Sequence, residues 1–208
     1  MTEDEARAWL ETTLDVSRGT MDRIARYLVL LAEEARRQNL IAESTLPTIW
    51  ARHVADSAQL IPLADRPHGT WLDLGSGAGL PGIVIALITG APVVMVESRR
   101  RRVEFLQAVI DDLGLGNADI RLSPVERVET FAAVTITARA FAPLPKLFEL
   151  AHRFSTEKTQ WVLPKGRNAK AELEAVALTW HMMFHVEPSI TDDAAGIIVA
   201  RDVRRRRQ

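Results

Sequence analysis

A chain of 208 residues, 47% of them hydrophobic, is long enough to bury one α/β core with an appendage and too short for two full catalytic domains. A formal charge of -1 gives no overall pull toward a polyanion, and the lack of cysteine excludes disulfides, thiolate catalysis and cysteine-based zinc sites. The start is acidic (Met1-Thr2-Glu3-Asp4-Glu5), and no uncharged apolar run reaches the roughly 18 to 20 residues that crossing a bilayer requires, so a cytoplasmic monomer without membrane contact is expected.

Up to residue 66 the pattern is helical and reads as an N-terminal cap, with residues 67-208 as the main domain. Ile24, Leu28, Leu31 and Ala35 recur at helical spacing ahead of the polar stretch Arg36-Arg37-Gln38-Asn39. A second helix is expected from Ser44-Thr45, where a hydroxyl can cap free amides and Pro47 suits the first turn, carrying Ile49, Trp50, Val54 and Ala58. Asp65-Arg66-Pro67-His68-Gly69 reads as a linker. From Thr70 short apolar runs alternate with amphipathic segments. Strands are expected at 71-74, 93-96, 120-122, 134-138 and 161-163, and helices at 81-88, 102-113, 144-154 and 169-179, the alternation of an open, mostly parallel sheet. Runs at 182-186 and 197-200 with only a turn-rich stretch between them predict a closing antiparallel hairpin.

The run Asp73-Leu74-Gly75-Ser76-Gly77-Ala78-Gly79 follows the first strand directly, and its alternating glycines let the backbone turn tightly against a ligand. Gly77, Gly79 and Gly82 also satisfy the dinucleotide pattern G-x-G-x-x-G, so two cofactor classes must be weighed. Asp73 sets a carboxylate where a pyrophosphate would be repelled and an ammonium held, and Pro81 lacks one of the amides a phosphate would use. Both features favour S-adenosylmethionine, as does the terminal hairpin by analogy of folds. Glu97, about 20 residues past the turn at the end of the second strand, can accept the ribose hydroxyls of either cofactor.

The run from Asp73 through Leu80-Pro81-Gly82-Ile83 resembles the glucose-inhibited division protein B family, the guanine-N7 methyltransferases of 16S ribosomal RNA. The likeness extends through Asn39-Leu40, Arg52-His53 with Asp56-Ser57, Arg102 to Leu106, Val125-Glu126, Arg139-Ala140-Phe141-Ala142 and Lys165-Gly166. The resemblance implies a Rossmann-like class I fold, S-adenosylmethionine as methyl donor without a metal, and 16S rRNA or the small ribosomal subunit as partner, with guanine 527 as target. It also implies that Asp73, Gly75, Gly77, Gly79 and Leu80 form the donor turn, Glu97 grips the ribose, Val125-Glu126 meet the adenine, Arg139 lies between donor and substrate, and Lys165 lies near the RNA. Pro124 departs from the pattern, because many relatives carry arginine there.

Guanine N7 offers a lone pair and no proton, so neither a general base nor a Ser/His/Asp set is required. Arg139 can present a planar fork to guanine O6 or to the donor carboxylate, whereas Lys165 suits a phosphate. His53 reads as structural, with Arg52 and Asp56 at i,i+4 and His53 and Asp56 at i,i+3 in one network joining cap to main domain. Trp50 reads as core. Arginine clusters at 36-37, 99-102 and 204-207 offer local basic patches. A small-molecule methyltransferase, suggested by the non-basic charge, and a non-catalytic nucleotide-binding factor are the alternatives.

Overall fold

The computed structural model describes residues 1-206, so Arg207 of the C-terminal cluster lies outside the described residues. Helix α1 (Glu3–Thr12) starts at a capping box in which Thr2 N donates to Glu5 Oε2 at 2.7 Å and Glu5 N to Thr2 Oγ1 at 3.2 Å. Helix α2 (Arg18–Ala35) is capped by Ser17 and buries Met21, Ile24, Tyr27, Leu28 and Leu31, extending the stripe read from the sequence.

The expected α-helix from Ser44-Thr45 does not form. A 3-10 turn occupies Glu43–Thr48, a π-helical turn Trp50–Ala55, and only then does a single α turn follow, α3 (Asp56–Ala58). The reason lies in the partners. Thr45 Oγ1 donates to Ala42 O at 2.6 Å instead of capping amides, and Pro47 supplies no N-H. The free amides of Trp50 and Ala51 find the Glu3 carboxylate on α1 at 3.1 and 2.8 Å, a partner remote in sequence.

Seven strands follow: β1 (Trp71–Leu74), β2 (Val93–Glu97), β3 (Ala118–Leu122), β4 (Thr135–Thr137), β5 (Gln160–Lys165), β6 (Trp180–Pro188) and β7 (Gly196–Arg205). They form one sheet in the order β3-β2-β1-β4-β5-β7-β6. β1 to β5 run parallel, and β7 inserts antiparallel between β5 and β6, as the hairpin reading anticipated, though both of its strands are longer than expected. Helices α4 (Gly82–Thr89) and α5 (Arg100–Leu113) connect β1 to β2 and β2 to β3; α6 (Leu144–Ala151) and α7 (Ala169–Val176) serve the other half. α6 gives way to a 3-10 turn at His152–Phe154 and α7 stops at Val176, so both α-helices are shorter than the apolar pattern suggested.

Period-two alternation divides the core. Trp71 joins the apolar cluster on the α4/α5 side, while Leu72 and Leu74 join the cluster under α6 and α7. Asp73 therefore points to the α4 side, among apolar neighbours. The first cluster runs without a break from Leu10, Ile24 and Leu31 to Ile83, Val84 and Leu106, so the N-terminal helices share one core with α4 and α5. Strand order reverses between β1 and β4, and the carboxyl ends of strands flanking such a reversal leave the crevice where open α/β sheets bind ligands.

Candidate active site

Beyond β1 the chain turns over Gly75, Gly77 and Gly79, all at positive φ. At Gly75 the missing side chain also makes room, since a Cβ there would lie 2.4 Å from Phe141 Cδ2. The turn is held from below by Gly75 N donating to Val96 O at 2.8 Å and feeds α4 through Ile83 N to Gly79 O at 2.7 Å. Asp73 Oδ2 accepts from Gly82 N at 3.2 Å, so a carboxylate already occupies the first amide of α4. That arrangement disfavours a pyrophosphate. Asp73 is fully buried and its Oδ1 has no partner among the described residues; burial pushes its carboxyl up to about 6, partly offset by the hydrogen bonds from Ser76 and Gly82.

Glu97 at the end of β2 collects four donors. Its Oε1 accepts from Ser98 N (2.8 Å) and Arg99 N (2.9 Å), and its Oε2 from Gly77 N (3.1 Å) and Arg102 Nη1 (3.4 Å). Above it opens a cavity of about 450 Å³ whose walls include Gly75, Glu97, Pro124, Val125, Glu126 and Phe141, within the size range of small-ligand sites. Four of the residues expected at the donor therefore meet on one cavity. Gly77 touches it through Glu97, whereas Asp73, Gly79 and Leu80 are buried behind the turn. A buried carboxylate oxygen without a partner, a second acid at the next strand end and a turn stripped of side chains together suit a cationic sulfonium nucleoside.

A second cavity of about 650 Å³ lies alongside, lined by Arg139, Lys165, His53, Asp56 and Asp192 among others, and Ala140 and Phe141 line both cavities. Ala140 holds a φ of 51°, a left-handed conformation unusual for a residue with a side chain, just where the two cavities meet. Arg139 Nη1 donates to Asp56 Oδ2 at 3.2 Å and, at 3.4 Å, to His53 Nδ1. Arginine cannot accept, so Nδ1 must present its lone pair and the histidine must carry its proton on Nε2, which donates to Thr45 Oγ1 at 2.8 Å. Burial, helped by the Arg139 charge, lowers His53 to about 4, so it is neutral at physiological pH. The network read from the sequence exists with different wiring: Arg52 turns away to Asp192 at 3.5 Å, and His53 and Asp56 meet on Arg139 instead of on each other.

Lys165, at the end of β5, is mostly buried; its Nζ donates to Glu172 Oε2 at 2.8 Å and to Ala142 O at 3.2 Å. Glu172 Oε2 also accepts from Leu144 N at 2.7 Å, so the pair ties the Arg139 to Pro143 loop to α7. Two contributors escaped the sequence reading. Phe141 was visible only as part of a motif, although an aromatic just past the end of a parallel strand is a usable signal. Tyr27 on α2, whose hydroxyl donates to Ala78 O at 2.7 Å, gave none, because a helical apolar position looks like core; its burial raises the phenol pKa. Trp50 is buried as expected, with Arg7 stacked 4.8 Å from its ring centre.

The parallel sheet ending in an inserted antiparallel strand, with the glycine turn and Glu97 at adjoining strand ends, defines a Rossmann-like class I S-adenosylmethionine-dependent methyltransferase fold. Aeropyrum pernix fibrillarin, solved with S-adenosylmethionine, shares that fold with a TM-score of 0.56 at 17% identity, over 72% of this chain and 75% of its own. More specifically, residues 20–194 match the family model described as rRNA small subunit methyltransferase G (GidB), and the chain belongs to that family. The relatives named ribosomal RNA small subunit methyltransferase G from Sphingopyxis alaskensis and Novosphingobium aromaticivorans are each 52% identical to it. The first alignment covers 95% of this chain and 85% of the relative, the second 97% and 89%.

Proposed function

We propose that this chain transfers the methyl group of S-adenosylmethionine to N7 of a guanine in 16S ribosomal RNA, guanine 527 being the position the family resemblance implies, and acts as a cytoplasmic monomer on the rRNA or the small subunit. The observation that carries the reading is the pair of cavities sharing the Ala140-Phe141 wall, one on the glycine turn and one on Arg139. Such a geometry brings two ligands edge to edge. Family membership favours RNA over the small-molecule alternative.

The donor, when bound, supplies an electrophilic methyl on a sulfonium. Gly75 and the turn position it, with Leu80 packed behind them, Glu97 accepts the ribose hydroxyls, Val125-Glu126 flank the adenine, and Asp73 offsets positive charge from behind the turn. Arg139, its guanidinium aimed by Asp56 and by the His53 lone pair, directs the guanine edge through O6. Lys165 steadies the loop bearing Arg139 and Phe141 through Glu172, in addition to any phosphate it meets. N7 needs no proton removed, and His53, with its lone pair engaged, is not placed as a base. Orientation of two ligands in line is enough to supply roughly 7 to 11 kcal/mol of the barrier. Attack makes the base cationic, and the Phe141 ring on the shared wall is an aromatic group that can meet that charge.

Incubation with small ribosomal subunits and labelled donor, followed by chemical cleavage at N7-methylguanine, tests the reading. One labelled guanine is expected; no incorporation into subunits or naked 16S rRNA overturns it.

A further inference from the structure

Two arginine runs distant in sequence lie side by side, and one of them reaches the wall of the donor cavity. Arg36-Arg37 lie just past α2 and Arg99-Arg102 begin α5. Gln38 Nε2 donates to Arg101 O at 3.2 Å and Arg102 Nη2 to Asn39 O at 3.4 Å, contacts spanning 63 residues of chain. Arg37 and Arg101 line one groove, while Arg99 and Arg102 reach the wall of the cavity above Glu97. Arg102 is engaged by Glu97, and Arg37 makes a single long contact to Glu34. Arg36, Arg99, Arg100 and Arg101 are exposed and make no ion pair among the described residues.

The local balance is positive although the chain's is not: six arginines face the carboxylates of Glu33, Glu34, Glu97 and Glu104, two of which are already engaged. Glu97 already meets the amides of Ser98 and Arg99 at the start of α5, so the positive potential here rests on the guanidiniums. The C-terminal cluster behaves differently. Arg204 pairs with Asp202 and Arg206 donates to Trp180 O, so these two guanidiniums serve the hairpin, while Arg205 reaches Glu149 on α6 at 3.9 Å.

We propose that Arg36, Arg37 and Arg99 to Arg101 form a phosphate-binding rim that holds the backbone of the substrate RNA across the mouth of the donor cavity. The proposal rests on the RNA reading above. Exposed guanidiniums strung along two helix ends, all but Arg37 without an ion pair among the described residues, suit a repeating phosphodiester, and each contact made should release counterions.

The test compares wild type with the triple variant Arg36→Ala, Arg100→Ala, Arg101→Ala, none of which lines the donor cavity, in binding to small ribosomal subunits from about 50 to 200 mM salt. The log-log salt slope should become shallower by about 3 and the apparent Kd rise at least about tenfold, while calorimetric donor affinity stays unchanged. Arg204→Ala should keep the wild-type slope. A wild-type slope in the triple variant, from an enzyme that still methylates subunits, overturns the rim and leaves the RNA reading intact. Salt-independent binding by the wild type, with no methyl incorporation, overturns both.

Discussion

The two sides of the cleft are built by different means. The donor side is backbone geometry, an eleven-residue stretch from Asp73 to Ile83 with Glu97 one strand over, closed by main-chain hydrogen bonds to Val96 and within the turn. The substrate side is assembled from residues on six separate segments, around Leu40 to Thr45, Arg52 to Gln59, Arg139 to Pro143, Pro164 to Gly166, Glu172 and Ser189 to Ile197. A site made of backbone stands or falls on the allowed φ and ψ of a few residues. One made of side-chain pairs fails gradually, and each partner can be removed alone.

Gly77→Val presses hardest on that contrast. It forces a β-branched residue into a φ of 56°, where the new Cβ meets Arg102 Nη1 and Gly75 O only at ordinary contact distances of 3.6 and 3.7 Å. Strain of about 1 to 2 kcal/mol should lower the melting temperature by only roughly 2 to 8 °C, whereas calorimetric donor affinity should fall at least about a hundredfold. Unchanged affinity would remove the turn from the donor site. On the other side, Arg139→Ala should cut turnover about a hundredfold with donor affinity unaltered, since misplacing a reacting group by about an ångström costs that much. Steady-state kinetics showing wild-type turnover would take Arg139 out of the site.

Phe141→Leu probes the shared wall. Loss of a cation–π contact of about 1 to 2 kcal/mol predicts a kcat lower by about five- to thirtyfold, little change in KM for subunits, and recovery in Phe141→Trp. An equal loss in the tryptophan variant would leave packing as the whole role of the ring.

The smallest change in donor affinity, a several-fold one with pH, is also the most diagnostic. Asp73 has a folded pKa of about 6 against an ordinary 3.8, so the folded chain holds a proton that the unfolded chain has released. Its stabilising contribution is complete below pH 4 and is lost as the pH rises through 6, by up to about 3 kcal/mol. Donor affinity should move the opposite way, rising several-fold from about pH 5 to 7 as the carboxylate ionises beside a cationic ligand. Asp73→Asn should flatten both trends in thermal melts and in calorimetry; a variant that keeps them would place the titrating group elsewhere.

Legibility from sequence follows the same divide. The turn, Glu97 and the alternating strands lie in local patterns of period two or in short runs, whereas Val125-Glu126 are legible only through the family resemblance; the fold brings Gly75, Glu97, Val125 and Glu126 to one cavity. Residues 43 to 58 misled because Thr45 and Pro47 carry the marks of a helix start, while the acid that actually satisfies those amides sits on α1. Likewise Arg52 and Asp56 have helical ion-pair spacing, yet tertiary partners, Asp192 and Arg139, take both. No spacing rule foresees a partner that arrives from another segment. Lys165 and Glu172 are seven residues apart, but the hold of Glu172 on Leu144 N and of Lys165 on Ala142 O appears only once β5, α6 and α7 are placed.

The bond from Tyr27 to Ala78 limits how this enzyme could be cut or recombined. A fragment starting at the 65-69 linker would leave the Ala78 carbonyl inside the donor turn without its phenol and uncover the α4 and α5 surfaces that Ile24 and Leu31 cover. Grafting another front end onto the sheet would require a replacement hydroxyl at that same spot, so the amino-terminal helices travel with the cofactor loop as one heritable part.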